Sequence, residues 1–161
     1  MNGILDFSEL KVILDERRVS AGESVRDLHS HDESFHAPSL PDVVVGPRST
    51  EEVSRLIRWA RRKKIPVTAW GAGTSLEGNP IPVRGGMVID FSEMNRVLAL
   101  RAEDFHVDVQ PGVIYKELNK TLSREGLFFP PDPGAAATIG GMIGNNASGI
   151  RSVRYGATKD Y

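Results

Sequence analysis

The chain has 161 residues, 40% of them hydrophobic and 25% charged, with a formal net charge of −1. That length suits one ordinary domain with a sizeable core, and the balanced charge excludes a general nucleic-acid binder or a polybasic membrane-surface protein. The absence of cysteine excludes disulfides, thiolate metal sites and a Cys nucleophile.

The opening residues, Met1 to Phe7, carry no basic stretch followed by an apolar core, so no secretory signal is expected. No apolar run is long enough to span a bilayer, and a cytoplasmic chain is the default. Residues 8–18 read as a short helix, with Ser8 as N-cap and Leu10, Ile13 and Leu14 as its apolar stripe. Residues 19–41 are polar, rich in His and Ser, and end in Pro38 and Pro41, as expected for an arm or long loop over a surface. Val43-Val44-Val45 then opens the ordered core. Ser49 and Glu52 form the ends of a capping box, and Val53, Leu56, Ile57 and Ala60 follow at helical spacing. The basic run Arg61–Lys64 sits at the negative end of that helix, which accounts for its charge without an anionic partner.

Strands are expected at 65–70, 86–91, 96–101 and 105–110, the last broken by Pro111-Gly112. A helix over 113–125 follows, with Ile114, Leu118 and Leu122 four apart and Gly126 as its C′ residue. Beyond it lie a proline-rich turn and a stretch of small residues, 135–149, with little capacity for a core of its own.

Half of the glycines fall in two clusters. The first, Trp70-Gly71-Ala72-Gly73-Thr74-Ser75-Leu76-Glu77-Gly78, ends a predicted strand. Its glycines let backbone N–H groups converge into an anion-binding nest, with Thr74 and Ser75 as hydroxyl donors, and pyrophosphate is the natural guest. It is neither a P-loop nor the G-x-G-x-x-G fingerprint, and taken alone it serves a structural turn equally well. The second cluster comprises Pro131, Asp132, Pro133 and Gly134 and the segment 137–149. It suits a backbone wall against a flat ligand, with Thr138 and Asn146 as directional polar contacts. Asp132 reads as a turn residue bonding backbone N–H groups rather than as an acid or base. His29, His31 and His36, with Asp27, Asp32 and Glu33, sketch a metal site, but their spacing matches no standard zinc pattern and no metal is expected. His106, Trp59 and Trp70 read as packing or surface residues, with Trp70 near enough to the pyrophosphate loop to touch a cofactor.

Taken in order, GAGTSLEGNPIP, RGGMVIDFSEMNRV, VQPGV, FFPPDPGAAATIGGMIGNNASG and VRYG resemble the FAD-binding domain of the vanillyl-alcohol oxidase/p-cresol methylhydroxylase superfamily. Within it the chain is most similar to the branch of FAD-linked D-lactate dehydrogenase and glycolate oxidase, and HDESFH before PDVVV strengthens that likeness. The resemblance implies an α+β fold with an amino-terminal helix and arm (1–40), a complete first lobe (41–111) and a truncated second lobe (112–161), without the substrate domain. It implies that residues 71–76 hold the FAD pyrophosphate between the lobes, with Trp70 alongside. Pro131, Asp132, Pro133, Gly134, Thr138, Gly140, Gly141, Asn146, Ala147 and Gly149 would line the ribityl chain and flavin ring. Relatives with covalent flavin use a histidine in the first glycine loop, and none stands there, so non-covalent FAD is expected.

The full-length relative would pass a hydride from a 2-hydroxyacid such as D-lactate or glycolate to flavin. It would then hand electrons to a quinone or a protein carrier, with peripheral attachment to the inner membrane left open. This chain alone is expected to be inactive and to self-associate through its second lobe, and it binds no nucleic acid on this reading. Two alternatives stand beside it. One is another enzyme of the superfamily, such as the flavin reductase of cell-wall precursor synthesis or an ether-lipid synthase. The other is a non-catalytic interaction module with an empty FAD-like pocket.

Overall fold

Apolar, β-branched runs make the first sheet. The computed structural model describes residues 7–161, so the reading of the extreme amino terminus lies outside the described residues. In it β1 (Val19–Ser20), β2 (Val43–Val45), β3 (Val67–Trp70) and β4 (Met87–Asp90) stand in the order β1-β2-β4-β3. β4 runs parallel to both β2 and β3, while β1 pairs antiparallel with β2. All three valines of β2 are buried, as a strand covered on both faces requires.

Alternation divides the sheet's side chains between two cores. Val43, Val45, Met87 and Ile89 face α1 (Leu10–Ile13) and α3 (Thr50–Lys63), packing with Leu10, Leu14, Leu56, Trp59 and Ala60. Val44, Val88 and Trp70 form a smaller cluster on the opposite face, against Val25 of α2 (Glu23–Leu28). The chain divides after Glu93 into two compact units, and the second runs Met94–Tyr161.

In that second unit β5 (Val97–Arg101) and β6 (His106–Val109) form an antiparallel hairpin, with an irregularity between Val97 and Ala99. The helices are α4 (Tyr115–Leu122), α5 (Ile139–Asn145) and α6 (Ser152–Tyr155). Val113, Tyr115, Leu118, Leu122, Ile139 and Met142 make the core, with Leu100, Val107 and Val109 of the hairpin packed on it.

Several local expectations change. The helix expected over 8–18 stops at Ile13, and Glu16–Arg18 forms a separate 3-10 turn. Asp15 is the reason: its carboxylate accepts from the Arg17 N–H at 2.9 Å and pairs with the Arg17 guanidinium, offering the backbone an alternative to the helix. The polar arm of 19–41 contains β1 and α2 and buries His29 and Ser30. Only half of the capping box forms. Ser49 accepts from the Glu52 N–H, but the Glu52 carboxylate turns to the Arg48 N–H and to Arg18. The helix of 113–125 is α4 followed by a 3-10 turn at Ser123–Glu125, closed by Gly126 in the left-handed region. The small-residue stretch does contribute core: it folds into α5 and buries Ile139 and Met142 completely or nearly so.

Candidate functional site

The first glycine cluster leaves the carboxyl end of β3, the edge from which α/β sheets commonly present ligand-binding loops. Phe91 N–H donates to the Trp70 carbonyl at 3.0 Å, so the chain is pinned to β4 at the point where it leaves the sheet. At the far end Gly78 N–H donates to Asp32 Oδ2 at 2.9 Å, and Glu77 N–H to Ser75 Oγ at 3.1 Å. Among the described residues no hydrogen bond uses the N–H of Ala72, Gly73 or Thr74. The turn is thus tethered at both ends and open in the middle.

Gly73 makes that opening possible. Its φ is +68°, and a Cβ there would lie 2.7 Å from Trp70 Cζ2. Both the left-handed backbone and the Trp70 ring beneath it demand glycine. Trp70 itself is only 8% exposed, so its ring supports the turn from below. Leu76, by contrast, is exposed. The Ser75 hydroxyl is spent within the loop: its oxygen accepts from Glu77 N–H, and it bonds the Asp32 carboxylate. The open donors are therefore backbone N–H groups and the Thr74 hydroxyl rather than both hydroxyls.

Residues of the polar arm, read from sequence as a surface loop, turn out to hold this turn. Asp32 is buried and takes the N–H groups of Ser34 and Gly78. Burial pushes its carboxyl up, but bonds from Ser34, Gly78 and Ser75 outweigh this and hold it below the usual carboxylate range. Glu33 N–H donates to the Ser75 carbonyl at 3.1 Å. No signal in sequence spacing could have joined positions 32 and 78. Among the described residues no group of three His, Asp or Glu is placed to hold a metal ion.

The second cluster is built differently. Asp132 Oδ1 accepts from the Tyr115 hydroxyl at 2.6 Å and from Gly134 N–H at 3.2 Å, the turn role expected of it. Burial, then the Asp132 carboxylate, pushes the Tyr115 phenol up to about 12. Tyr115 therefore keeps its proton and acts as a donor at neutral pH. The Tyr115 bond in turn holds Asp132 below its ordinary value. Sequence reasoning missed Tyr115, which only the packing of α4 brings to the proline turn between the buried Pro131 and Pro133.

Thr138 is the N-cap of α5, its hydroxyl accepting from Gly141 N–H at 3.2 Å. Ile139 N–H goes to the Val113 carbonyl, Gly140 N–H to Pro111 and Met142 N–H to Thr138. The first turn of α5 has therefore already spent its donors, and an anion would find none there. Gly149 is glycine because a Cβ would stand 1.6 Å from the Asp132 carbonyl oxygen, and Gly140 packs on Pro111 in the same manner. Asn146 closes α5 in the left-handed region and accepts from Lys159 N–H, while the Ala147 carbonyl accepts from Thr158. The Thr138 hydroxyl is thus engaged with the first turn of α5, and the Asn146 Oδ1 with the 3-10 turn at Thr158–Asp160.

The predicted residues separate cleanly. Positions 70–76 lie in the first unit and 131–149 in the second. No described helix is long and apolar enough to cross a membrane.

Comparison with known proteins shows the family. A family model described as an FAD binding domain matches residues 41–161. The mitochondrial D-lactate dehydrogenase [cytochrome] of Arabidopsis thaliana is 45% identical over 156 residues, 96% of this chain and 27% of that protein. Glycolate oxidase subunit GlcD of Bacillus subtilis is 39% identical over 138 residues, 84% of this chain and 29% of that protein. The chain thus spans under a third of the length of either relative. A solved alkyldihydroxyacetonephosphate synthase superposes with a TM-score of 0.87 at 26% identity, covering 99% of this chain and 32% of that one. A solved p-cresol methylhydroxylase gives 0.73 at 19% identity, covering 86% and 28%, a likeness of fold.

Proposed function

The chain belongs to the FAD-binding domain family, and from that premise we propose that it is the FAD-holding part of an oxidoreductase acting on 2-hydroxyacids such as D-lactate or glycolate. The fold is that of the p-cresol methylhydroxylase-type FAD-binding domain. The observation that carries the reading is the turn at 72–74, tethered at both ends and offering unused N–H donors over a glycine of positive φ. Such a donor set suits the diphosphate of FAD. On this reading Gly71–Leu76 take the pyrophosphate, with Trp70 beneath them. The backbone of Pro131–Gly134 and the segment around Thr138, Gly140, Gly141, Asn146, Ala147 and Gly149 lie along the ribityl chain and ring. With no histidine in the loop, the cofactor is held without a covalent bond.

The chemistry FAD supplies when bound is acceptance of a hydride from the carbon bearing the hydroxyl, leaving a 2-oxo acid once the hydroxyl proton departs. This chain's own residues bind and orient. The hydroxyacid specificity rests on the relatives named D-lactate dehydrogenase and glycolate oxidase. The electrons pass on to a quinone or a carrier protein. By itself the chain has little or no dehydrogenase activity, because the polar side chains along the proposed flavin wall, Asp132, Thr138 and Asn146, are committed to the fold rather than to a hydroxyl proton. Ile143, Ile150 and Val153 are exposed on the second unit, and self-association through them covers that surface. A sedimentation profile that stays monomeric as concentration rises would dispose of this last point.

The test is an absorbance spectrum of the purified chain and an FAD titration followed by flavin fluorescence, repeated on Gly73→Ala. Saturable binding that the substitution weakens by about tenfold or more, a shift of ~1.4 kcal/mol, supports the site. Absence of bound flavin, or indifference to Gly73→Ala, refutes it. The synthase match is a likeness at 26% identity, whereas the 45% match in sequence favours the hydroxyacid reading.

A further inference from the structure

One buried ionic group lies behind the open turn and is accounted for by none of the residues so far assigned to it. His29 caps the carboxyl end of α2 and is 4% exposed. Its Nδ1 lies 2.7 Å from the Val25 carbonyl oxygen and its Nε2 lies 3.2 Å from Asp90 Oδ2. Both partners are acceptors, so the two bonds form together when both ring nitrogens carry hydrogen, and against burial the Asp90 bond and then the Val25 carbonyl favour that imidazolium form. Asp90 is fixed in turn by the Ser92 N–H at 2.8 Å. The cationic ring sits 4.8 Å from the Trp70 ring, tilted by 56°. That is within the range in which a cation is drawn to an indole face. The far edge of the same indole, Cζ2 and Cη2, occupies the space a Cβ at Gly73 would need, at 2.7 and 3.2 Å.

A continuous chain of contacts therefore runs from Asp90 through His29 and Trp70 to the left-handed residue of the turn. We propose that His29 is a positioning residue for the anion-binding turn: paired with Asp90, it holds the Trp70 ring at the height that presents the Ala72, Gly73 and Thr74 N–H groups together. It touches no ligand itself. The inference rests on the reading of this turn as the FAD pyrophosphate site. The physical requirement is rigidity, since convergent N–H donors select a diphosphate only if they are held in place before it arrives. A buried ion pair is a weak source of net stability but a directional one, because breaking its geometry leaves a charge unsatisfied. Here that direction is transmitted to a ring, and by the ring to the backbone.

The decisive experiment compares the whole chain with His29→Gln, which keeps a donor for Asp90 and removes the flat cation. Trp70→Phe, which keeps an aromatic face and removes the outer ring edge, is the companion should the first not fold. Dissociation constants are measured for FAD and for riboflavin, which lacks the phosphates, alongside the amide resonances of Ala72, Gly73 and Thr74. The expected result is displaced amide resonances and FAD affinity lower by about tenfold, with riboflavin affinity little changed. Equal losses for both ligands would mean a general structural role and overturn the proposal. So would unchanged amide resonances. If the unaltered chain takes up no FAD, the functional reading of the turn falls, while the amide resonances still decide whether His29 sets its shape.

Discussion

The two glycine clusters look alike in sequence and do opposite things with their backbones. In 71–78 the glycines and their tethers free N–H groups from the chain's own bonding. In 138–149 the N–H groups are consumed by Thr138, Pro111 and Val113, and glycine permits backbone to lie on backbone. Glycine richness thus marks close approach in both places, but only the first approach is left open to a ligand. The second supplies a surface, and its Thr138 hydroxyl is buried at the cap of α5.

The sharpest way to break this contrast is Gly149→Ala. With its Cβ forced to 1.6 Å from the Asp132 carbonyl oxygen, the substitution should cost about 3 kcal/mol or more, within the range of severe overpacking, and should show as a large drop in melting temperature. A variant as stable as the parent would mean that the backbone there is not closely packed.

Next in size is Thr138→Ala, which removes the N-cap of α5 and should cost about 1 kcal/mol by denaturant titration. Its effect on FAD affinity should be indirect and small, since the hydroxyl is engaged with Gly141. A loss of FAD binding out of proportion to the stability loss would restore Thr138 as a ligand contact.

The smallest and most graded effect concerns pH in the first unit. Burial lowers the His29 ring's proton affinity, but the Asp90 bond and then the Val25 carbonyl outweigh it, so its value rises above the ordinary 6.5. Burial raises Asp90, but the bond to His29 prevails and its value falls below 3.8. A raised histidine stabilises the fold fully below about 6.5 and loses that contribution as pH climbs through its folded value. A depressed aspartate contributes above about 3.8 and loses it as pH falls through its folded value. The pair is therefore most stabilising between about pH 4 and 6.5. Thermal midpoints of the parent and His29→Gln should differ most in that window and converge towards alkaline pH. A constant difference from pH 5 to 9 would show that the ring is neutral in the fold.

Much of this was legible beforehand, for reasons that can be named. β2 and β4 announce themselves as apolar runs bounded by Gly and Pro, and α3 by its cap and its apolar spacing, because those are local demands of strand and helix. The turn role of Asp132 followed from its prolines, and the open loop at 71–76 followed from its glycines. The break after Ile13 was not legible, since it depended on whether Asp15 served the helix or its own neighbour Arg17. α5 was obscured by Gly140, Gly141 and Gly144, whose weak helical preference is overridden by a threonine cap and by burial of Ile139 and Met142.

By itself the sequence determined the family, the strands and helices of strong pattern, and the position of the open glycine turn, because each is set by residues adjacent in the chain. Only the tertiary structure decided what holds that turn and which donors remain free. Asp32 meets Gly78 across 46 positions and His29 meets Asp90 across 61. Contacts between segments so far apart arise only when the sheet has formed and brought its edges together.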